Sequence, residues 1–267
     1  MTDLTDPTSA VVLSRDGGVA TIRFNRPDAM NSVNLATKEA LLAALREVAE
    51  DSSVRAVVLT GSGRAFCVGQ DLREHVAGLK SGEKLDSTVA DHYNPAVTLI
   101  ATMNKPVIAA LNGVAAGAGS SLAFAADFRI LVDSAGFNLA FAGIALSCDT
   151  GASWTLPRLV GVAKAKELLM FGGTISAQEA LDYGLATKIV PADEFDSAVS
   201  EFALKLASGP TLAYGSIRRA VTFSVGNDLA DSLAHEAELM ALTGASADHR
   251  AAVEAFLAKE KPSFEGR

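Results

Sequence analysis

Short apolar runs at 11–14 (VVLS) and 19–24 (VATIRF) flank Asp16-Gly17-Gly18, the pattern of a β-hairpin. After the loop NRPDAMNSVN, Asn34 is placed to cap a helix over 35–50, in which Leu41, Leu42, Leu45 and Val48 recur at helical spacing beside Lys38, Glu39, Arg46 and Glu47. A strand is predicted at 54–59, a helical stretch at 84–103 disturbed by Pro95, and a buried strand at 106–111. The segment GVAAGAG leads into a helix over 118–126, followed by strands at 128–132 and 137–139 and helices at 151–159, 162–171 and 176–183, with Trp154 expected in the core. Strands alternating with helices predict an α/β fold. Beyond Pro191 the pattern becomes purely helical, at 192–207, 211–224, 227–242 and 246–259. The chain therefore divides into an α/β core (1–191) and a helical region (192–267) that continues the core or packs on another subunit.

Composition narrows the function classes. The 267 residues are 49% apolar and 20% charged, which excludes a disordered chain, a collagen-like repeat and a disulfide-stapled miniprotein. With 23 basic against 31 acidic residues, a net charge of −8 and no Lys or Arg run, neither nucleic acid nor an anionic membrane surface is an expected partner. The segment from Pro106 to Ala126 is uncharged and long enough to span a bilayer, but Pro106, Asn112, Gly113, Gly117, Gly119, Ser120 and Ser121 break it into a strand-rich half and a small-residue half. Cys67 and Cys148 form no CxxC and give no metal site; two buried thiols are expected. The opening MTDLTDPTSA has neither a basic n-region nor an apolar h-region, so a reducing, cytoplasmic location is expected.

Candidate chemistry sits in two glycine-bearing loops and one acid. GSGRAFCVGQDL and NGVAAGAGSSL each follow a predicted strand, where main-chain N–H groups are free to point at a ligand oxygen; each alone reads more simply as a tight turn where only small residues fit. The third glycine of a dinucleotide fingerprint is missing from Gly117-Ala118-Gly119-Ser120-Ser121-Leu122, and neither a GK[ST] phosphate loop nor a GxSxG elbow occurs. Asp149 follows a window, 134–148, that carries no charged residue and contains Phe137, Leu139, Phe141, Ile144 and Leu146. Such surroundings strip hydration from a carboxylate and make it a better proton acceptor, although Asp149 equally reads as a cap for the helix near Gly151. His75, His92, His235 and His249 share no motif, and His92 reads as an ordinary partly exposed histidine.

Over nearly its whole length the chain resembles the crotonase, or enoyl-CoA hydratase/isomerase, superfamily: NRPDAMNSVN is similar to its first CoA-contacting loop, AFCVGQDL and KPVIAALNGVAAGAG to its two oxyanion loops, and SAQEALDYGLATKIV to the segment before its helical tail. The resemblance implies a spiral of ββα units with a C-terminal helical trimerisation region, and a homotrimer or dimer of trimers. It implies an acyl-CoA thioester substrate, with CoA carried as part of that substrate and no separate cofactor. It places the oxyanion donors on the backbone N–H of Gln70 and Ala118, where a more usual glycine is replaced, and substrate contacts on Arg26, Ala29, Val68, Gly69, Gln70, Asp71, Leu72, Gly117, Ala118 and Phe141. Arg23, Arg26 and Arg64 are candidates for the CoA phosphates. The two glutamates of the hydratases fall on Ser121 and Phe141, neither a carboxylate, whereas the enoyl-CoA and epoxyphenylacetyl-CoA isomerase branch places one acid at Asp149; HYNPAV, GVAAGAGSS, FNLAFAGIAL and DTGASWTLPRLVG resemble that branch, with Cys148 in place of its usual proline. The expectation is an isomerase with Asp149 as base. The alternatives are hydratase-like lyase chemistry, the aromatic attack of the chlorobenzoyl-CoA dehalogenases, for which Phe141 lacks an indole donor, and an inactive acyl-CoA-binding protein.

Overall fold

The computed structural model describes residues 4–82 and 85–267. Strands β1 (Val11–Asp16) and β2 (Val19–Phe24) form the expected hairpin, closed by Gly17 and Gly18 at φ of 53° and 80°. Helix α1 (Leu35–Glu50) starts at Asn34, whose side chain accepts from the Thr37 N–H, and buries Leu41, Leu42, Leu45 and Val48. Then follow β3 (Ala56–Gly61), β4 (Ala65–Cys67), α2 (Leu72–Ser81), α3 (Leu85–Thr88), a π-helical turn (Val89–Tyr93) and α4 (Asn94–Thr102). The expected start of this helical stretch at residue 84 lies outside the described residues, and the widened turn falls just before Pro95, which has no N–H to continue a regular ladder.

The uncharged stretch resolves into β5 (Val107–Leu111), β6 (Val114–Ala116) and the wholly buried α5 (Ala118–Phe124). Among the described residues, no helix is long and apolar enough to cross a membrane. The chain continues through β7 (Phe128–Val132), β8 (Gly136–Asn138), α6 (Ala152–Val160), α7 (Val162–Phe171), β9 (Thr174–Ser176), α8 (Ala177–Asp182) and β10 (Lys188–Val190). It ends with α9 (Phe195–Ala207), α10 (Thr211–Ser224), α11 (Leu229–Gly244) and α12 (Ala247–Ala258).

These strands build two sheets. The larger has the order β1-β2-β3-β5-β7-β10, parallel from β2 onward; the smaller has the order β4-β6-β8-β9, parallel from β4 to β8. Three successive passes each place one strand in the large sheet and the next in the small one (β3 then β4, β5 then β6, β7 then β8) before a helix returns the chain, which is a spiral of ββα units. Fully buried Ile22, Phe24, Leu59, Phe66, Ile108, Leu111, Leu122, Ile130 and Phe137 fill the core. Helix α9 packs on β2, β3 and β7 and buries Phe195, Ala203 and Ala207, so the first helix after Pro191 belongs to that core.

Two expectations fail here. Trp154 is 41% exposed rather than in the core, because it faces outward from α6 with the Arg158 guanidinium 4.2 Å from its ring centroid. Cys67 is buried, but Cys148 is only half-buried.

The small sheet is held close by glycine. A Cβ on Gly119 of α5 would lie 2.0 Å from the Cys67 carbonyl oxygen of β4, so only a bare Cα lets this helix start against that strand. Gly119→Ala is expected to destabilise the protein by about 3 kcal/mol or more, read as a lowered midpoint in urea unfolding.

Candidate active site

The site lies where three adjacent parallel strands of the small sheet, β4, β6 and β8, release their following loops at one edge, the usual place for a ligand crevice in such sheets. After β4 the chain turns through Gly69 and pairs at Gln70 with Val33: the Val33 N–H donates to Gly69 O at 2.8 Å and the Asp71 N–H donates to Val33 O at 3.1 Å. In extended backbone this alternation turns the Gln70 N–H away from Val33. After β6, Gly117 adopts φ 50° and ψ −124°, and Ala118 opens α5, where a first-turn N–H has no acceptor within its helix. The two loops touch: a Cβ on Gly69 (φ 81°) would lie 2.8 Å from Ala116 O and 3.1 Å from Ala118 N. The Gly117 N–H donates to Asn138 O at 2.9 Å, tying the second loop to the end of β8.

Gln70, the neighbouring Leu72 and Asp149 line one cavity of about 400 Å³, together with His75, Val89, Tyr93, Ile144, Leu146 and Cys148. Among the described residues, Asp149 is the only carboxylate in that lining, and no described Lys or Arg faces it there. Burial pushes its carboxyl above the ordinary aspartate range, opposed by a hydrogen bond from the Thr150 hydroxyl (2.9 Å) and one from its own N–H. The alternative role as a helix cap falls away, because the N-cap of α6 is Gly151 and only the main-chain carbonyl of Asp149 accepts from Ala152 N–H. The apolar window before Asp149 contributes less shelter than its sequence suggests. Residues 142–147 are exposed, with Ile144 and Leu146 reaching the cavity, and Leu72, Val89 and Tyr93 supply the rest from across it.

A polar frame surrounds the Gln70 loop. The buried Tyr93 hydroxyl donates to Gln70 Oε1 at 2.8 Å, and Gln70 Nε2 donates to Glu74 Oε1 at 3.2 Å. Glu74 also accepts from the buried Lys38 Nζ at 2.8 Å and from the Leu35 N–H at 2.7 Å. Desolvation opposes the charge on Glu74, but these donors hold its carboxyl below the ordinary range. Asp71 behaves alike: burial pushes it up, and hydrogen bonds from Arg26, Ser32 and the Arg73 and Glu74 N–H groups more than reverse that. The Cys67 thiol is pushed up to about 12 by burial, so it stays protonated.

The other expected site residues are distributed unevenly. Val68, Gly69 and Gly117 belong to the touching loops, and Ala29 is half-buried at the end of the turn Pro27–Ala29. The Asp71 side chain is occupied in capping α2 and pairing with Arg26 at 3.0 Å. Arg26 also donates to Ser32 O and Arg23 to Gly61 O, whereas Arg64 is exposed. Phe141 is buried outside the cavity lining, and Ser121 is buried with its hydroxyl on Gly117 O at 3.3 Å. His92 is half-buried beside Thr88, away from Asp149's cavity. Sequence reasoning missed the Lys38–Glu74–Gln70–Tyr93 connections and Thr150. Nothing in the residue pattern marks either, because both depend on contacts across the chain or on a backbone angle.

A spiral of paired strands shared between two sheets is the crotonase fold, and residues 14–267 match the family model described as Enoyl-CoA hydratase/isomerase. The chain is 43% identical over 250 residues to a "probable enoyl-CoA hydratase" of Rhodobacter capsulatus, covering 94% of this chain and 95% of that one. It is 39% identical over 251 residues to the 1,2-epoxyphenylacetyl-CoA isomerase of Escherichia coli, covering 94% and 96%. The crystal structure of an enoyl-CoA hydratase from a Polaromonas species superposes with a TM-score of 0.90 at 31% identity, covering 96% of this chain and 99% of that one. The chain belongs to the enoyl-CoA hydratase/isomerase family and is an enzyme of that family.

Because folding raises the Asp149 pKa, its ionised form costs stability, and that cost is absent below the unfolded pKa, about 3.9, and grows as pH rises through the folded value. Asp149→Asn, which can still accept from Thr150, is expected to raise the melting temperature at pH 7 by a few degrees and to lose this advantage as the pH is lowered, as followed by calorimetry.

Proposed function

We propose that the enzyme shifts a carbon–carbon double bond in an enoyl-CoA thioester, with Asp149 as the single base and the Gln70 and Ala118 N–H groups as oxyanion donors. The observation that carries this reading is that, among the described residues, a single carboxylate lines the cavity that Gln70 also lines, while Ser121 and Phe141 are buried and have no carboxylate to offer. Asp149 removes a proton from the carbon between the thioester and the double bond. The electron pair moves onto the thioester oxygen, giving a dienolate, and the same carboxyl returns the proton to the far carbon. Nothing is gained or lost, so no second acid is required. Two fixed main-chain donors stabilise the oxygen where charge develops, and each such donor is worth about 10² to 10³ in rate. Desolvation makes Asp149 a stronger base than an exposed aspartate.

The test is turnover of vinylacetyl-CoA to crotonyl-CoA. Asp149→Asn is expected to lower kcat by about 10³ or more while CoA-ester binding persists, and the wild-type rate is expected to fall at low pH as the base is protonated. Crotonyl-CoA hydration faster than isomerisation would show hydratase chemistry instead; ester binding without any turnover would show an inactive binding protein.

The protein is also proposed to be a homo-oligomer, supported by exposed Leu229, Met240, Phe256 and Leu257 on the C-terminal helices. Light scattering on the purified chain is expected to give a mass of three or six subunits, and a monomer mass would refute it.

A further inference from the structure

We infer that Thr150 is a positioning residue for Asp149: its hydroxyl fixes the carboxylate, and a left-handed backbone at Thr150 is what delivers that hydroxyl. The inference deepens the proposed function and rests on Asp149 being the base.

Five non-glycine residues among those described have positive φ, namely Met30, Asn31, Ala145, Thr150 and Lys259, and Thr150 alone is β-branched. A β-branched side chain at φ 52° is strained, and such strain persists only where neighbouring structure imposes it. Here the chain is pinned on both sides. Asp149 O accepts from the Ala152 N–H at 3.0 Å, and Gly151 O accepts from the Trp154 and Thr155 N–H groups and from the Thr155 hydroxyl. Gly151 is left-handed too, at φ 76°, so two successive left-handed residues swing the chain into α6. This turn leaves the helix cap to Gly151 and the Asp149 side chain to the cavity.

Thr150 is 1% exposed and its Oγ1 donates to Asp149 Oδ1 at 2.9 Å. Glycine would adopt this backbone without strain, yet it would leave the carboxylate without that donor. Among the described residues, the titratable groups facing Asp149 across the cavity are His75 from α2 and Tyr93 from the π-helical turn, with Cys148 on its own loop. None is a permanent cation, so the threonine hydroxyl is the side-chain donor that favours the carboxylate form against burial.

The test compares Thr150→Val, which keeps the β-branch and removes the donor, with Thr150→Ser, which keeps the donor. Asp149 titration is read from carboxyl ¹³C NMR difference spectra against Asp149→Asn, and kcat and KM for vinylacetyl-CoA are read across pH. With valine, the Asp149 midpoint and the acid limb of kcat are both expected to move up by about one pH unit, with plateau kcat about tenfold lower and KM little changed. Serine is expected to restore both. A valine variant that titrates like wild type, or serine and valine variants that behave alike, would overturn the inference. Should the valine variant not fold, Thr150→Ala is read in the same way. A midpoint that moves while the acid limb stays in place would leave the positioning role intact and remove Asp149 as the base.

Discussion

Everything at this site depends on how closely two stretches of main chain can approach. The loops after β4 and β6 meet with no side chain between them, because residue 69 is glycine in a left-handed conformation and residue 119 is glycine against the Cys67 carbonyl. The pairing of Ala65 with Val114 and Cys67 with Ala115 sets the relative height of the two loops. Geometry at the proposed oxyanion donors is thus a property of sheet register and not of flexible side chains. That is the preorganisation a short-lived negative charge requires, since donors already in place cost nothing to reorganise.

The acid is held on different terms. Asp149 is sheltered enough for burial to raise its pKa, and no fixed cation among the described residues lines its cavity. A few residues away the opposite solution operates: Asp71 and Glu74 are ionised more readily than usual because Arg26, Lys38 and several N–H groups converge on them. Carboxylates saturated with donors are poor bases and good struts, while one with few donors is a good base that weakens the fold. The contrast sets the structural acids apart from the one proposed as base.

The fold was legible in sequence wherever periodicity had length to work with. Helices 162–171 and 211–224 and strand 128–132 coincide with those of the structure, and Asn34 caps α1 as its position suggests. The strands of the small sheet were not all foreseen: β4, β6 and β9 are three residues each, too short for an alternating pattern and embedded in glycine-bearing loops, and β10 is equally short. Helix α2 escaped as well: Leu72, Val76 and Leu79 recur at helical spacing, but the helix is only ten residues long and buries none of them. Asp149 was visible as a charge after an uncharged run, but what shelters it was not, since Tyr93 and Val89 come from a distant π-helical turn. Trp154 shows the converse error, an aromatic residue stacked under an arginine at the surface.

Helix α2 borders the cavity through Leu72 and His75, yet it is fastened by a cap and a few polar bonds instead of core packing. This wall of the cavity and the loops proposed to hold the thioester oxygen therefore sit under unequal constraint. Residues on the wall are at liberty to drift and so to retune which chains are accepted, at little expense in folding. The glycines of the small sheet have no such latitude, and substrate preference can diverge across descendants of this protein long before its chemistry does.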